Sequence, residues 1–147
     1  MIANSVTREV EWGECDPAGI VFNPNFSRWF DHCTSLLYAA AGWPKPAMLR
    51  EFGILGCPLV ESHLSFRAPA RYGEIVTIDS SIAEIGRSSF KVRHHARVGE
   101  RSCCTALDTR VWTIRDPESG RLRAAELPAA IVAAFRAEGA AGGADAG

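Results

Sequence analysis

Eight apolar positions between residues 26 and 41 set the tightest limit on what this chain can fold into. Phe26, Trp29, Phe30, Cys33, Leu36, Leu37, Ala40 and Ala41 recur at intervals of three or four residues, which is one stripe of a helix about five turns long. Its punctuation is clear. Asn23 suits an N-cap, Pro24 fits the first helical position, and Gly42 followed by Trp43-Pro44 ends the helix. A stripe this bulky wants to lie against a sheet, and the rest of the chain supplies one. "VTREVEW" alternates, with Val6, Val10 and Trp12 on one face. Four further strand candidates follow: "LVESHLSFR", "EIVTIDSSIAEI", "SFKVRHHARV" and "CCTALDTRVWTIR". The third of these four places Phe90, Val92, His94, Ala96 and Val98 on one face and Lys91, Arg93, His95 and Arg97 on the other. "RAPARYGE", "GRSS" and "GERS" are the turns between them. "AMLREFG" predicts a short helical turn and "AAIVAAFRA" a short helix. The order β-α-β-β-β-β predicts an α+β fold, a curved antiparallel sheet of about five strands wrapped around one central helix. Residues 1–137 form one domain on this reading, and 138–147 a flexible tail of small residues with little to bury.

Composition narrows the function classes. At 147 residues and 47% hydrophobic, the chain suits one globular domain with a real core. Its net charge of −1 offers no basic field for nucleic acid or an anionic membrane. No apolar run approaches the roughly 20 residues a membrane span needs, and the N-terminus has no secretory pattern. Five cysteines, Cys15, Cys33, Cys57, Cys103 and Cys104, make an odd set without C-x-x-C spacing. They predict reduced, mostly buried thiols in a cytoplasmic protein and neither a disulfide framework nor a metal site. No cofactor motif is present: there is neither a glycine-rich phosphate loop nor a G-x-S-x-G nucleophile elbow. His94 and His95 are neighbours on a strand and point to opposite faces, while His63 and His32 suit structural or surface roles.

The stretch "CDPAGIVFNPNFSRWFD" resembles the signature of the 4-hydroxybenzoyl-CoA thioesterase family, in the hot-dog-fold branch that places an aspartate before the helix. The resemblance extends through "GCPLVESHLSFRAPARYGEIVTI" and "RLRAAELP", up to about Phe135. It implies hydrolysis of an acyl-CoA thioester, an active site at the interface of a homodimer or homotetramer, and Asp16 as the catalytic carboxylate. Asp31 matches an acidic position of the family and would line the acyl pocket or solvate the helix flank. The chain departs from the pattern at Asn23, where an aromatic residue is usual, which makes the local pocket more polar or roomier. It departs again at Gly86 and Ser88, which thin a basic cluster.

The residues themselves suit that chemistry. A thioester carbonyl needs a donor for its oxygen and a base or nucleophile beside its carbon. The start of a long helix has amides without intrahelical acceptors and a partial positive charge. Pro24 has no N–H, so the amide of Asn23 or of its neighbours is the natural donor. Gly19 permits the bend that folds the loop over this end, and Pro17 biases Asp16 to extended geometry. Asp16 can serve as nucleophile or as general base; the alternative is an inert Asx-turn residue. Phe22 beside Asn23 is a candidate substrate contact. The phosphates of coenzyme A call for basic side chains, for which Arg87, Arg121 and Arg123 are candidates. Three readings compete: a thioesterase for an aromatic acyl-CoA, one for short aliphatic acyl-CoA, and a non-catalytic acyl-binding hot-dog module. A hydratase is weaker, because the motif carries only one carboxylate.

Overall fold

The computed structural model describes residues 1–54, 56–138 and 143–145. The predicted helix, α1, runs Pro24–Ala40, and α2 covers Lys45–Phe52. The strands are β1 (Ala3–Glu9), β2 (Leu59–Phe66), β3 (Ile75–Ile85), β4 (Ser89–Val98) and β5 (Arg101–Val111). A small hairpin of β6 (Thr113–Arg115) and β7 (Leu122–Ala124) precedes α3 (Ala129–Arg136), and β8 (Gly143–Asp145) comes last. The sheet order is β2-β5-β4-β3-β1-β8. Its five main strands pair antiparallel throughout; β8 lies parallel to β1 at Ser5–Thr7. The tail expected over 138–147 otherwise falls largely outside the described residues.

β3, β4 and β5 form a meander of two hairpins, and β1 and β2 add to its two sides from far away in sequence, with Ala3 opposite Ser81 and Phe66 opposite Cys104. The concave face carries the alternate residues Val76, Ile78 and Ile82 from β3 and Phe90, Val92 and Ala96 from β4, all buried. α1 lies across them. Phe26, Trp29, Phe30 and Cys33 pack with Val6, Val76 and Ile78 toward one end. Leu37 and Tyr38 pack with Phe90, Trp112, Ile131 and Phe135 toward the other, where α3 closes the core. Each large apolar side chain so enclosed is worth about 1.5–3 kcal/mol, which is why one helix suffices to organise the sheet.

Three expectations are corrected. Trp12 is 66% exposed and does not share the inner face with Val6 and Val10. β1 ends at Glu9, and a single 3₁₀ turn, Trp12–Glu14, breaks the alternation before Trp12. Ala40 is exposed, and the polar Thr34 and Tyr38 are buried on the stripe. The last strand stops at Val111, and Thr113–Arg115 turns away to pair with Leu122–Ala124. No helix among the described residues is long and apolar enough to cross a membrane.

Candidate active site

The loop from Cys15 to Phe22 is held along its whole length. Cys15 bridges Val21 and Ile20 bridges Arg71. Asp16 N–H donates to the Ile20 carbonyl at 2.9 Å, Val21 N–H to Ala70 at 2.8 Å and Phe22 N–H to Glu14 at 2.9 Å. Asp16-Pro17-Ala18-Gly19 is a turn closed by Gly19 N–H on the Asp16 carbonyl at 2.9 Å, with aspartate, proline and glycine each at the position it favours. Gly19 has φ +75°, and a Cβ there would meet nothing within 4 Å. Glycine is therefore needed for the backbone angle and not for space.

Asp16 does form an Asx turn, its Oδ1 accepting Ala18 N–H at 2.8 Å. That bond orients the carboxylate without consuming it. Oδ2 has no partner among the described residues, and the side chain is half-buried.

Asn23 departs from the N-cap expectation. Its backbone is already helical (φ −55°, ψ −34°), and its side chain makes no capping bond. The carbonyls of Phe22 and Asn23 take the amides of Asn25 (2.9 Å) and Phe26 (3.2 Å), so the backbone does what the side chain was expected to do. The Asn23 amide itself donates to no acceptor among the described residues. Asn23 borders a cavity of about 430 Å³ whose walls include Ile20, Val21, Phe26 and Phe66. Asn23 at the positive end of this 17-residue helix thus borders a mostly apolar recess, and the loop that carries Asp16 reaches the same recess through Ile20 and Val21. Phe22 is 54% exposed and does not line that recess.

Asp31 lies eight residues further along α1, about 12 Å at the helical rise. It is exposed, yet Arg110 Nη2 donates to its Oδ1 at 2.8 Å, and Arg110 Nη1 reaches the Cys57 carbonyl at 3.1 Å. Both border a second cavity of about 390 Å³ together with Thr34, Tyr38 and Cys57. The sequence reading missed Arg110. The signal was available, because Asp108 and Arg110 continue the period of two from Cys104 and Ala106 on the inward face of β5, with Trp112 just beyond it, and all five are buried.

Arg87 and Arg123 are not near Asp16. The Asp16 loop meets the chain at Ala70–Glu74, before β3 begins. Arg87 follows the end of β3, where its carbonyl takes Leu127 N–H and its side chain sits 3.9 Å from Glu126. Arg123, on β7, stands at that same end, since β6 and β7 follow Val111 and Val111 pairs with Ser89. The length of β3, roughly 30 Å or more, separates them from Asp16 within one chain.

A second constellation looks like a nucleophilic triad and is not one. His94 Nδ1 is 2.7 Å from Ser80 Oγ, while Nε2 is 3.3 Å from Thr34 Oγ1 and 3.7 Å from Asp108. Ser62 Oγ donates to Asp108 at 2.5 Å. Ser80, His94 and Asp108 are enclosed, with the imidazole stacked 4.8 Å from Phe30. Burial drives the His94 pKa down to about 3 and raises that of Asp108. The ring is neutral and unreachable, so this network is structural. His95, on the outer face, bonds Ser102, and His63 is an exposed partner of Glu61. All five cysteines are unpaired; burial pushes Cys33 and Cys57 up to about 11 and Cys104 to about 12, which leaves those three as inert thiols. No three His, Cys, Asp or Glu side chains among the described residues gather in a way that could hold a metal ion.

Known proteins share this fold. The thioesterase-like superfamily matches residues 10–135. The 4-hydroxybenzoyl-CoA thioesterase of Pseudomonas sp. (strain CBS-3) is 38% identical over 136 residues, which cover 87% of this chain and 95% of the relative. Its solved structure superposes with a TM-score of 0.83 at 34% identity, over 91% of this chain and 99% of that one. A gentisyl-coenzyme A thioesterase superposes with a TM-score of 0.77 at 28% identity, over 89% of this chain and 98% of the other. The chain belongs to the 4-hydroxybenzoyl-CoA thioesterase family of hot-dog proteins, within the thioesterase-like superfamily.

Proposed function

We propose that this thioesterase hydrolyses an aromatic acyl-CoA to the free acid and coenzyme A, with Asp16 acting on the thioester carbon and the Asn23 amide polarising its oxygen. The observation that carries the reading is the unpaired Asn23 amide at the N-terminus of α1, in a residue that borders an apolar recess also walled by Ile20 and Val21 of the Asp16 loop. In attack, the carbonyl oxygen gains negative charge and is met by an N–H already aimed and by the helix dipole; losing such a donor costs about 10²–10³ in turnover. Asp16 either takes a proton from a water that attacks the carbonyl carbon, or attacks that carbon itself to give a mixed anhydride that water then hydrolyses. In both routes the C–S bond breaks, coenzyme A leaves as the thiolate, and water supplies the proton that makes it the thiol. Gly19 keeps the loop in the bend this requires. The matched 4-hydroxybenzoyl-CoA and gentisyl-CoA thioesterases both take hydroxylated benzoyl esters by name, which supports an aromatic acyl group. Asp31, held by Arg110 at the second cavity, and the exposed Phe22 are proposed substrate contacts outside that recess.

The distance between Asp16 and the pair Arg87 and Arg123 supports a site completed by a second copy. A two-fold partner could bring its own basic end of β3 to this Asp16, where one chain alone cannot. The exposed edge strand β2, with Leu59, Val60 and Phe66 in solvent, supports the same homodimer, or a homotetramer built from it. We assign the catalytic domain to residues 1–137, and the five unpaired cysteines support a cytoplasmic setting.

The test is turnover of benzoyl-, hydroxybenzoyl- and short aliphatic CoA esters by the wild type and by Asp16→Asn. The aromatic esters should be preferred, and Asp16→Asn should lose at least about 10²-fold in kcat with little change in binding. Near-normal turnover by a folded Asp16→Asn protein would remove Asp16 from the chemistry, and a preference for aliphatic esters would reassign the substrate.

A further inference from the structure

Glu14 stands two residues before Asp16, where β1, the 15–22 loop and α1 meet. Its Oε1 accepts the indole N–H of Trp29 on α1 at 3.1 Å and a guanidinium N–H of Arg8 on β1; its Oε2 accepts Glu11 N–H at 2.9 Å. Its backbone carbonyl accepts two more bonds, from Phe22 N–H at 2.9 Å and from Asn25 Nδ2 at 2.8 Å. Arg8 lies over the Trp29 ring, 4.4 Å from its centroid. The Glu14 side chain is only 12% exposed, and Trp29 and Asn25 are buried.

A turn at a protein surface needs far less. Charge-assisted bonds to a mostly enclosed carboxylate are the strong kind, and they fix direction as well as distance. Here the carboxylate's bond to Trp29, together with the backbone carbonyl's bonds to Phe22 and Asn25, joins the two halves of the candidate site. Glu14 is at the start of the Asp16 loop, Phe22 at its end, and Asn25 and Trp29 are in the first two turns of the helix whose free amide is at Asn23. Cys15 and the Asp16 turn continue directly from the residue so held. Nothing else among the described residues ties the Asp16 side of the loop to the interior of α1 by side-chain hydrogen bonds.

We propose that Glu14 is a positioning residue for hydrolysis: by clamping the loop to Trp29, Asn25 and Arg8, it sets the separation between the Asp16 carboxylate and the Asn23 amide. The inference rests on the reading of Asp16 as the reacting carboxylate. Glu14 touches neither the recess nor the substrate, and it acts only through Asp16. A displacement of roughly 1 Å in such a constellation costs about 10²-fold in rate while leaving binding nearly unchanged.

The test uses the full-length protein and separates kcat from KM. Trp29→Phe keeps an aromatic ring and deletes the one N–H; it should lower kcat by about 10-fold or more with KM within about twofold. Glu14→Ala should lower kcat by about 10²-fold, and Glu14→Gln, whose amide oxygen still accepts the indole N–H, should recover most of it. In an Asp16→Asn background neither Glu14→Ala nor Trp29→Phe should reduce the residual rate further, because the group they position is already gone. If Glu14→Ala does not fold, Trp29→Phe and Glu14→Gln carry the same comparison. Wild-type kcat in Trp29→Phe, a loss expressed in KM, or a loss that multiplies with that of Asp16→Asn would each overturn the anchor while leaving Asp16 in place. Full turnover in Asp16→Asn would instead overturn the reading on which the anchor rests.

Discussion

Lowering the pH should loosen this protein through one side chain. His94 is fully enclosed between α1 and the sheet, and burial takes its pKa from 6.5 to about 3. A folded-state value below the unfolded one means that the unfolded chain takes up the proton first. The stability tied to neutral His94 is therefore complete above about pH 6.5 and is lost as pH falls from there toward 3. At about 1.4 kcal/mol per unit, the loss is roughly 2 kcal/mol by pH 5 and roughly 3.5 kcal/mol by pH 4, a sizeable part of a domain's 5–15 kcal/mol. Asp108 works in the opposite sense, because its raised pKa lets the folded state bind a proton more readily. It lies 3.7 Å from His94 Nε2, so the comparison of wild type with His94→Gln is repeated in an Asp108→Asn background to isolate the imidazole. Urea unfolding at pH 7, 6 and 5, at one protein concentration, should show the wild type losing roughly 2 kcal/mol more than His94→Gln across that range. Parallel pH dependence in the two proteins would refute the reasoning, since it would mean that His94 titrates in the fold much as it does in the open chain.

The other expectations follow from single features. Gly19→Val places a β-branched residue at φ +75°, so turnover should fall by about 10²-fold while the melting temperature, set by the remote core, moves little; Asn23→Ser, which alters only an uncapping side chain, should keep most activity. Asp31→Ala leaves the buried guanidinium of Arg110 without its carboxylate and should cost roughly 2–4 kcal/mol in urea unfolding, whereas Arg110→Met leaves only an exposed carboxylate and should cost less. Equal losses would show that the pair is worth no more to one partner than to the other. Light scattering at micromolar concentration should return a multiple of the monomer mass, and a monomer would contradict both the covered β2 edge and a site shared between copies.

The fold was legible because its main signals are periodic and local. The 3.6-residue stripe from Phe26, the period of two through Phe90–Val98, and the stops at Pro24 and Gly42 leave few arrangements open. The candidate site could be read from the sequence only where its residues are contiguous, from Asp16 to Asn23. Arg110 and Asp31 are 79 residues apart, Ser62 and Asp108 46, and His94 and Thr34 60. Such pairs form only once the sheet and α1 have assembled: the period of two can mark Arg110 and Asp108 as inward-facing, but it does not name their partners. Trp12 was misjudged for a related reason: alternation continues in the letters after Glu9, but the backbone has already turned. Asn23 has the composition of a cap, yet two backbone carbonyls reach the helix amides first.

The way β1 and β2 join the sheet has a consequence for how the molecule is made. Neither strand pairs with anything in the first half of the chain: β1 waits for β3, and β2 waits for β5, which ends at Val111. At roughly 5–20 residues per second, about 70 residues of synthesis separate the end of α1 from the end of β5, an interval of some 4–14 seconds. Through that time the cover of Phe26, Trp29 and Phe30 stays incomplete: Val76 and Ile78 of β3 arrive partway, and Ala96, Cys104 and Ala106 of β4 and β5 come last. The meander of β3, β4 and β5, joined by tight turns, is the first part able to fold by local contacts, so we expect its amides to gain protection from exchange before those of β1 and β2. Simultaneous protection of all five strands would argue against that order. The nascent chain is thus most vulnerable to self-association in the window when its N-terminal half, which carries the whole Asp16 loop, is complete but has no complete sheet to rest on.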